Sequence, residues 1–448
     1  MGHARPRSRA RAVQRSRGLL VVLCLVMWLG TVAGAQQASP EGVVLTPDEI
    51  ALAHEFSPLP DPPVDPTNAV ADDPRAALLG QALFFDARLS GNGEVSCATC
   101  HDPAQGFGDG RALGRGVADL TRHSMTLWNV AYNRWFFWDG RKDSLWSQAL
   151  APFEDEREHA TSRLAIAHLV ADDPSYARAY EALFGALPAL DDGLRFPLEG
   201  RPVPGHPEHA HARAWDGMAT DDRTAVDRLF VNLGKAIAAY ERRLVSRRAA
   251  FDVFVEGLGE GDGDKLAALP ASAQRGFALF AGKGQCLLCH DGPNFSDGEF
   301  HTNRIPATDV PDDGRYLGMQ QALVDPFNLR SAFADDGGAR GLTRLGIAPL
   351  EPHVPADFKT PTLRNVAVTA PYMHDGRMAN LDEVLAFYST LEGAARPVSG
   401  GERLIDERNF DAQQLADLKA FLESLTDERV PAELLSAPAS LEPSGEGG

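Results

Sequence analysis

Apolar residues recur at three- and four-residue spacing over long stretches of this chain, the period of a helix with one buried face. Val226, Leu229, Phe230, Leu233, Ile237, Tyr240 and Leu244 form one stripe. It predicts a packing helix at a domain junction rather than a ligand-bearing face. Leu415, Leu418, Phe421, Leu422 and Leu425 form a second, with Asp411 placed to cap its start. Asn380 followed by Glu383 reads as a capping box that opens a helix through Tyr388. Strand-type alternation is scarce. The pattern predicts an all-α protein, predominantly helical with long loops. Residues 191–222, rich in Pro, Gly and charge, carry His206, His209 and His211 and read as a solvated loop. Leu441 to Gly448 reads as a frayed tail.

The pattern also repeats. Gly80-Gln81-Ala82-Leu83-Phe84 returns as Gly276-Phe277-Ala278-Leu279-Phe280. Phe107-Gly108-Asp109-Gly110 returns as Phe295-Ser296-Asp297-Gly298. Such self-similarity marks an internal duplication. Between the matching segments of each copy stands a C-x-x-C-H motif: Cys97, Cys100 and His101 in the first, Cys286, Cys289 and His290 in the second. Of the five cysteines only Cys24 lies outside these motifs, and four cysteines in an exported chain suggest two disulfides by default. The adjacent His argues instead for covalent c-type haem, with both thiols joined to the vinyl groups and the His beneath the iron. Zinc is a weaker rival, because a Cys₂His₂ site wants further ligands nearby. The motifs stand 189 residues apart, so each haem has its own cytochrome c-like domain. The Gly- and Asp-rich stretch 304–346 then reads as a long loop over the second haem.

Composition narrows the picture further. The 448 residues are 44% hydrophobic and 23% charged, ordinary globular values. The net charge of −19 excludes a general nucleic-acid binder. The first 35 residues hold six Arg and no acid: a basic run from Arg5 to Arg17, an apolar run from Leu19 to Val32, then Ala33-Gly34-Ala35. This reads as a secretory signal, residues 1–35, with an uncleaved anchor as the alternative. No later segment approaches the roughly 18 apolar residues a spanning helix needs. The expected product is a soluble exported protein of the periplasm.

Other stretches carry a resemblance. They are Leu127-Trp128-Asn129-Val130-Ala131-Tyr132-Asn133, Phe136-Phe137-Trp138-Asp139-Gly140-Arg141, Phe358 through Val366, and Pro371-Tyr372-Met373-His374-Asp375-Gly376. With two C-x-x-C-H motifs in this order, the chain resembles the di-haem cytochrome c peroxidase and MauG family over about residues 70–430. The resemblance implies a peroxidatic haem domain over 36–223, an electron-transfer haem domain over 224–430 and a tail over 431–448. It implies that hydrogen peroxide meets the first haem. The second receives electrons from a small cytochrome c or copper protein, with a homodimer as one option.

The same resemblance assigns roles to residues. Trp138 holds the position of the Trp between the haems; the alternative is a core aromatic. Gln148 and Glu158 match the pair that handles protons at peroxide. From composition alone, Glu158 reads as part of a solvated acidic turn. Arg115 stands where classical peroxidases carry a distal His, and arginine cannot ligate iron. His123 stands at a calcium-binding Asn and is a substitute ligand only if the loop shifts. Thr369 and Pro371 match the other contributors to that calcium site, which the His123 departure puts in doubt. Tyr388 matches the far ligand of the second haem, a Met in classical members and a Tyr in MauG; Met373 and Met378 are the alternatives. Three functions stay open: a hydroperoxidase, a MauG-type oxidase of a protein substrate, and a plain electron-transfer cytochrome.

Overall fold

The computed structural model describes residues 42–306, 312–347, 357–396, 404–427 and 429–442. All of them belong to one compact unit, Pro40–Gly448. The expected signal segment and residues 443–448 lie outside the described residues. The fold is helical, as the periodicity predicted. Eight helices frame the functional region: α1 (Pro47–Phe56), α2 (Pro74–Phe85), α3 (Leu145–Glu154), α4 (Thr220–Glu241), α5 (Ala250–Glu260), α6 (Ala271–Ala281), α7 (Leu381–Thr390) and α8 (Ala412–Glu423). One small antiparallel ladder joins β1 (Phe300–Thr302) to β2 (Asp357–Lys359), with Phe300 opposite Lys359. No helix of the described residues is long and apolar enough to cross a membrane.

Two apolar cores organise the molecule. In the first, Leu79, Leu83 and Phe84 of α2 pack on Leu229, Leu233, Ile237 and Tyr240 of α4, and Trp146, Leu150 and Phe153 of α3 close the side. In the second, Phe277 and Phe280 of α6 pack on Leu418 and Phe421 of α8, joined by Phe56, Phe251 and Phe254. Each core depends on one glycine at the helix crossing. A Cβ at Gly80 would strike the Ala236 carbonyl, and one at Gly276 would strike the Asp417 carbonyl. These glycines let the helix backbones touch, and they occupy matching positions of the duplication.

The cores redraw three sequence expectations. A boundary at 223/224 would give α4 to the second domain, yet its stripe is buried in the first core through Leu244. Conversely, Leu45, Ala53 and Phe56 near the N-terminus belong to the second core. The stretch 431–442 is not a loose tail. The Tyr240 hydroxyl donates to the Leu434 carbonyl at 2.6 Å, and the Gln81 amide donates to Ser436 at 2.7 Å. Between 304 and 346 the described chain forms helices Arg315–Val324 and Ala339–Ile347. Phe327, Leu329 and Ala334 enter the first core, and Lys235 holds Asp335 at 2.7 Å. That stretch therefore packs on the first half. Apolar side chains spaced too irregularly to read as a helix still bury together.

The predicted N-caps form, although at Asn380 the box stays open because the Glu383 carboxylate accepts from the Ala379 amide instead. The Asn380 side chain accepts from the Glu383 amide at 3.0 Å, and Asp411 accepts from Gln414 at 2.9 Å. Within 191–222 a short helix, Ala210–Asp216, carries Trp215 into the first core. The His209 and His211 rings lie 5.2 Å apart. Among the described residues no group of three or more His, Cys, Asp or Glu could hold a metal ion.

Candidate active site

The two C-x-x-C-H motifs fold alike. Each occupies a short turn that brings its cysteines to one side, Cys97–Cys100 and Cys286–Leu288. All four thiols are free rather than paired. Burial pushes the Cys100 and Cys286 thiols up to about 12. The His101 Nδ1 meets the Phe107 carbonyl at 3.1 Å, and the His290 Nδ1 meets the Phe295 carbonyl at 3.0 Å. A carbonyl only accepts, so each Nδ1 carries the proton and each Nε2 keeps its lone pair. Phe107 and Phe295 are both fully buried and both left-handed, with φ of 59° and 50°. Bulky residues seldom adopt that conformation, so its recurrence reflects a turn each half needs to aim the carbonyl at its histidine. Free thiols, a neutral imidazole anchored through Nδ1 and an apolar surround fit a covalent haem at each motif.

The duplication extends beyond what the helices and motifs disclosed. Asn129 and Asn365 are both left-handed, at φ of 59° and 62°. Their amides donate to Leu244 and Leu425, the residues just past α4 and α8, at 2.9 and 3.1 Å. Two backbone hydrogen bonds then link the halves: the Lys359 amide donates to the Trp138 carbonyl, and the His123 amide to the His374 carbonyl, each at 2.8 Å. Lys359 is thus the counterpart of His123, and His374 the counterpart of Trp138. Helix α3 follows its Ser144 cap as α7 follows its Asn380 cap. Counting from those caps, Pro152 is the first-half counterpart of Tyr388. Sequence reasoning missed this, although Asn-Val-Ala and Asp-Gly-Arg recur in both halves at matching positions.

Around the first motif, the loop from Gly114 to Ala118 clasps the turn after α3. Val117 donates to the Glu158 carbonyl and Ala118 to the Arg157 carbonyl, both at 2.9 Å. Gly116 leaves no room for a Cβ against the Glu158 backbone. The Glu158 carboxyl has no hydrogen-bond partner among the described residues. Burial pushes it up to about 7, against the pull of Arg141, and its charge is felt at both Cys97 and Cys100. Glu158 is thus less solvated than its acidic run suggests, though partly exposed. On α3, the Gln148 Oε1 is buried and unpartnered. The Arg115 guanidinium points outward to Asp119 at 3.2 Å and is more than half exposed.

A second carboxyl near the first motif was not foreseen. Glu241, at the end of α4, is buried, with Oε2 unpartnered. Burial pushes it up to about 8, and its charge acts on Cys97. Its solvent-type residue name hid it, because the stripe of α4 is read from apolar positions alone.

Trp138 stands between the halves. Its indole donates to the His123 carbonyl at 2.9 Å while its own carbonyl holds Lys359. The turn carrying it is braced by charge. Although burial pushes the Asp139 carboxyl up, Arg141 and Arg122 hold it below the usual range. Arg122 also grips Asp312 at 2.7 Å. Trp138 shares one cavity with His123, Lys359, Cys286, Cys289, His290 and Tyr388.

Tyr388 has no hydrogen-bond partner for its hydroxyl among the described residues. Burial raises its pKa, with Cys286 and Cys289 adding to the effect. Met373 lines the same cavity, its sulfur 3.8 Å from the Asn303 amide. Met378 instead packs in an apolar cluster with Phe387 and Leu391. At the position matched to calcium, the His123 Nδ1 donates to the Arg111 carbonyl at 2.8 Å. Burial lowers the imidazole's pKa, and the Arg111 and Thr369 carbonyls oppose that shift. The Thr369 carbonyl thus faces an imidazole. Calcium takes six to eight oxygens, so the residues present do not fit it.

Comparison with known proteins agrees with this architecture. Residues 74–260 match the family described as di-haem cytochrome c peroxidase. The cytochrome-c peroxidase IdrP1 of Denitromonas iodatirespirans is 34% identical over 382 residues, covering 83% of this chain and 86% of that protein. The methylamine utilization protein MauG of Methylorubrum extorquens is 31% identical over 441 residues, covering 94% and 100%. A solved MauG-like protein associated with microbial copper homeostasis superposes with a TM-score of 0.59 at 25% identity, covering 85% and 97%. The diheme peroxidase BthA of Burkholderia thailandensis shares the fold, with a TM-score of 0.57 at 23% identity and coverage of 84% and 93%. With two haem-attachment turns on duplicated helical cores, and relatives matched along most of its length, this chain is an oxidoreductase that belongs to the di-haem cytochrome c peroxidase family.

Proposed function

We propose that this protein is a periplasmic hydroperoxidase that reduces hydrogen peroxide to water with electrons from a small cytochrome c or copper protein. The observation that carries the reading is Glu158: a half-buried carboxyl with no hydrogen-bond partner among the described residues, beside the first attachment motif and held up to about 7. When bound, both haems would supply irons that exchange single electrons, and the first, with one face open, would also coordinate peroxide oxygen. The chain's own residues handle the protons. Glu158 as carboxylate takes the proton from the near oxygen of peroxide and returns it to the leaving oxygen. Gln148 offers an amide to orient peroxide. Two electrons from outside and two protons then convert one peroxide into two waters. Trp138, hydrogen-bonded to one half through its indole and to the other through its carbonyl, is the electron bridge.

The resting state follows from the duplication. Tyr388 would hold the far side of the second haem, and a phenolate there would favour ferric iron. At the first haem the corresponding residue is Pro152, which has no ligating atom. The Arg115 guanidinium faces Asp119 and the His123 imidazole is engaged by carbonyls, so neither closes that face. The ferric protein as isolated is expected to show one high-spin and one low-spin signal by EPR. It is expected to consume peroxide with a reduced small cytochrome, without prior reduction. Two low-spin signals, with turnover only after one-electron reduction, would refute the open first site.

The Tyr388 ligand also favours a MauG-type oxidation of a protein side chain as the second reading. Turnover with a protein substrate but with no reduced cytochrome would select it. A plain electron-transfer cytochrome leaves Glu158 and Gln148 without a purpose.

Trp138→Ala tests the bridge. Each haem spectrum is expected to stay nearly intact, while peroxide added at the first site no longer oxidises the second haem. Loss of haem from the variant would return Trp138 to a packing role.

A further inference from the structure

Lys359 is a buried cation that the proposed mechanism does not use. It ends β2 and is 2% exposed. Its ammonium reaches only the Thr360 carbonyl, at 3.5 Å, and no carboxylate of the described residues lies within ion-pair distance. Burial pulls its pKa down to about 8, with Asp297 opposing. Asp297 is itself bound to His301 at 2.7 Å. A buried ammonium in that condition calls for an anion. The cavity it lines is also lined by Cys286, Cys289, His290 and Tyr388.

We infer that Lys359 is the counter-ion of a propionate of the second haem. Thioethers form at the vinyl edge of a porphyrin, and its two propionates leave from the opposite edge. The cation that acts on Cys286 is Arg408, bound at 2.6 Å to Gln285 just before the motif. Arg408 therefore belongs to the attachment edge. Lys359 comes from a different element, and its backbone is fastened to Trp138. The pairing is specific to the second half, because the counterpart of Lys359 is His123, whose imidazole is already held by carbonyls.

The pairing has a functional consequence. A phenolate ligand lowers the potential of its haem, whereas a fixed positive charge beside a propionate raises it. Lys359 is then a positioning residue that keeps the Tyr388-ligated haem reducible by an outside donor. The inference rests on the haem assignment and Tyr388 ligation above, but not on which substrate the first site takes.

The test is a redox titration of the holoprotein, with haem content read by pyridine haemochrome. The second haem is identified as the one removed by Cys286→Ala with Cys289→Ala. Lys359→Met is expected to keep both haems and lower the midpoint potential of the second. Lys359→Arg, which keeps the charge, is expected to restore most of it. A Met variant with two haems and a wild-type potential overturns the inference, as do Met and Arg variants that shift alike. Where Lys359→Met does not retain the second haem, the wild-type protein decides. The propionate-bending band of that haem in the resonance Raman spectrum is expected to shift when H₂O is replaced by D₂O, because ammonium protons exchange. An unshifted band overturns the pairing. A wild-type protein that does not turn over peroxide with a reduced cytochrome, while Lys359→Met still lowers the second potential, would count against the proposed function and leave the pairing standing.

Discussion

Glu158→Gln is expected to slow the reaction with peroxide by about 10² to 10⁴, the usual cost of removing a group that shuttles a proton. Both haems and the fold are expected to persist, because the amide keeps the shape of the side chain. The pH dependence gives a second signature. Glu158 must be deprotonated to accept the peroxide proton, and burial holds its carboxyl up to about 7. The wild-type rate should therefore rise with pH through about 7, and that limb should vanish in the variant. Stability should move the other way. A carboxyl whose pKa is raised by folding holds its proton longer in the native state than in the unfolded chain. It costs nothing below the unfolded value of 4.5 and destabilises increasingly until pH passes about 7. Glutamine carries no charge to desolvate, so the variant should gain up to a few kcal/mol over wild type at pH 8 and nothing at pH 4. A stopped-flow rate unchanged from wild type would remove Glu158 from the chemistry.

Arg364→Met is expected to cost about 3 to 5 kcal/mol, the range for leaving one member of a buried ion pair unpaired. Arg364 is fully buried and meets both oxygens of Asp252, at 2.8 and 2.9 Å. Its Nε donates to the Pro293 carbonyl at 2.7 Å, in the loop just after the second attachment motif. Asp252 in turn accepts from Ser57 at 2.8 Å and caps α5 at the Ala249 amide at 2.9 Å. One guanidinium thus ties the end of α1, the start of α5 and the second haem loop together. Removing it leaves the Asp252 carboxylate buried without its cation, and the second haem is expected to loosen before the first. Adding Asp252→Asn should recover part of the loss, since the stranded charge is then gone. A denaturation midpoint within about 1 kcal/mol of wild type would show that solvent reaches the pair, as at a surface salt bridge.

Arg364 also illustrates what a motif does not disclose. The stretch Phe358 to Val366 carries the family resemblance, and motifs invite a catalytic reading. Its arginine is structural, whereas its lysine, Lys359, lines the cavity. Nothing in the local sequence separates the two, because both are long cations in a polar run. Partners from distant positions, Asp252 in one case and none in the other, make the difference.

Sequence by itself determined the covalent chemistry. Haem attachment is a matter of Cys-x-x-Cys-His spacing within five residues, and His101 and His290 follow from it without knowledge of any other segment. The helical class was equally legible, since amphipathic periodicity is local, and so were the caps at Asn380 and Asp411. What depended on burial was decided by the tertiary structure alone. Glu158 sits in an acidic run that looks solvated, but the clasp of the 114–118 loop and the end of α3 leaves it half-buried, enough to hold its carboxyl up to about 7. Tyr388 and Pro152 already stand at the spacing of the repeated Asn-Val-Ala and Asp-Gly-Arg, and the matched caps of α3 and α7 show that the equivalence holds in the fold. The chain ends cross, with α1 in the second core and residues 430–435 against the first, because each core needed apolar surface its own helices did not supply. Spacing along the chain fixes which atoms a residue brings. Desolvation and pairing, which set how those atoms behave, are properties of neighbours hundreds of positions away.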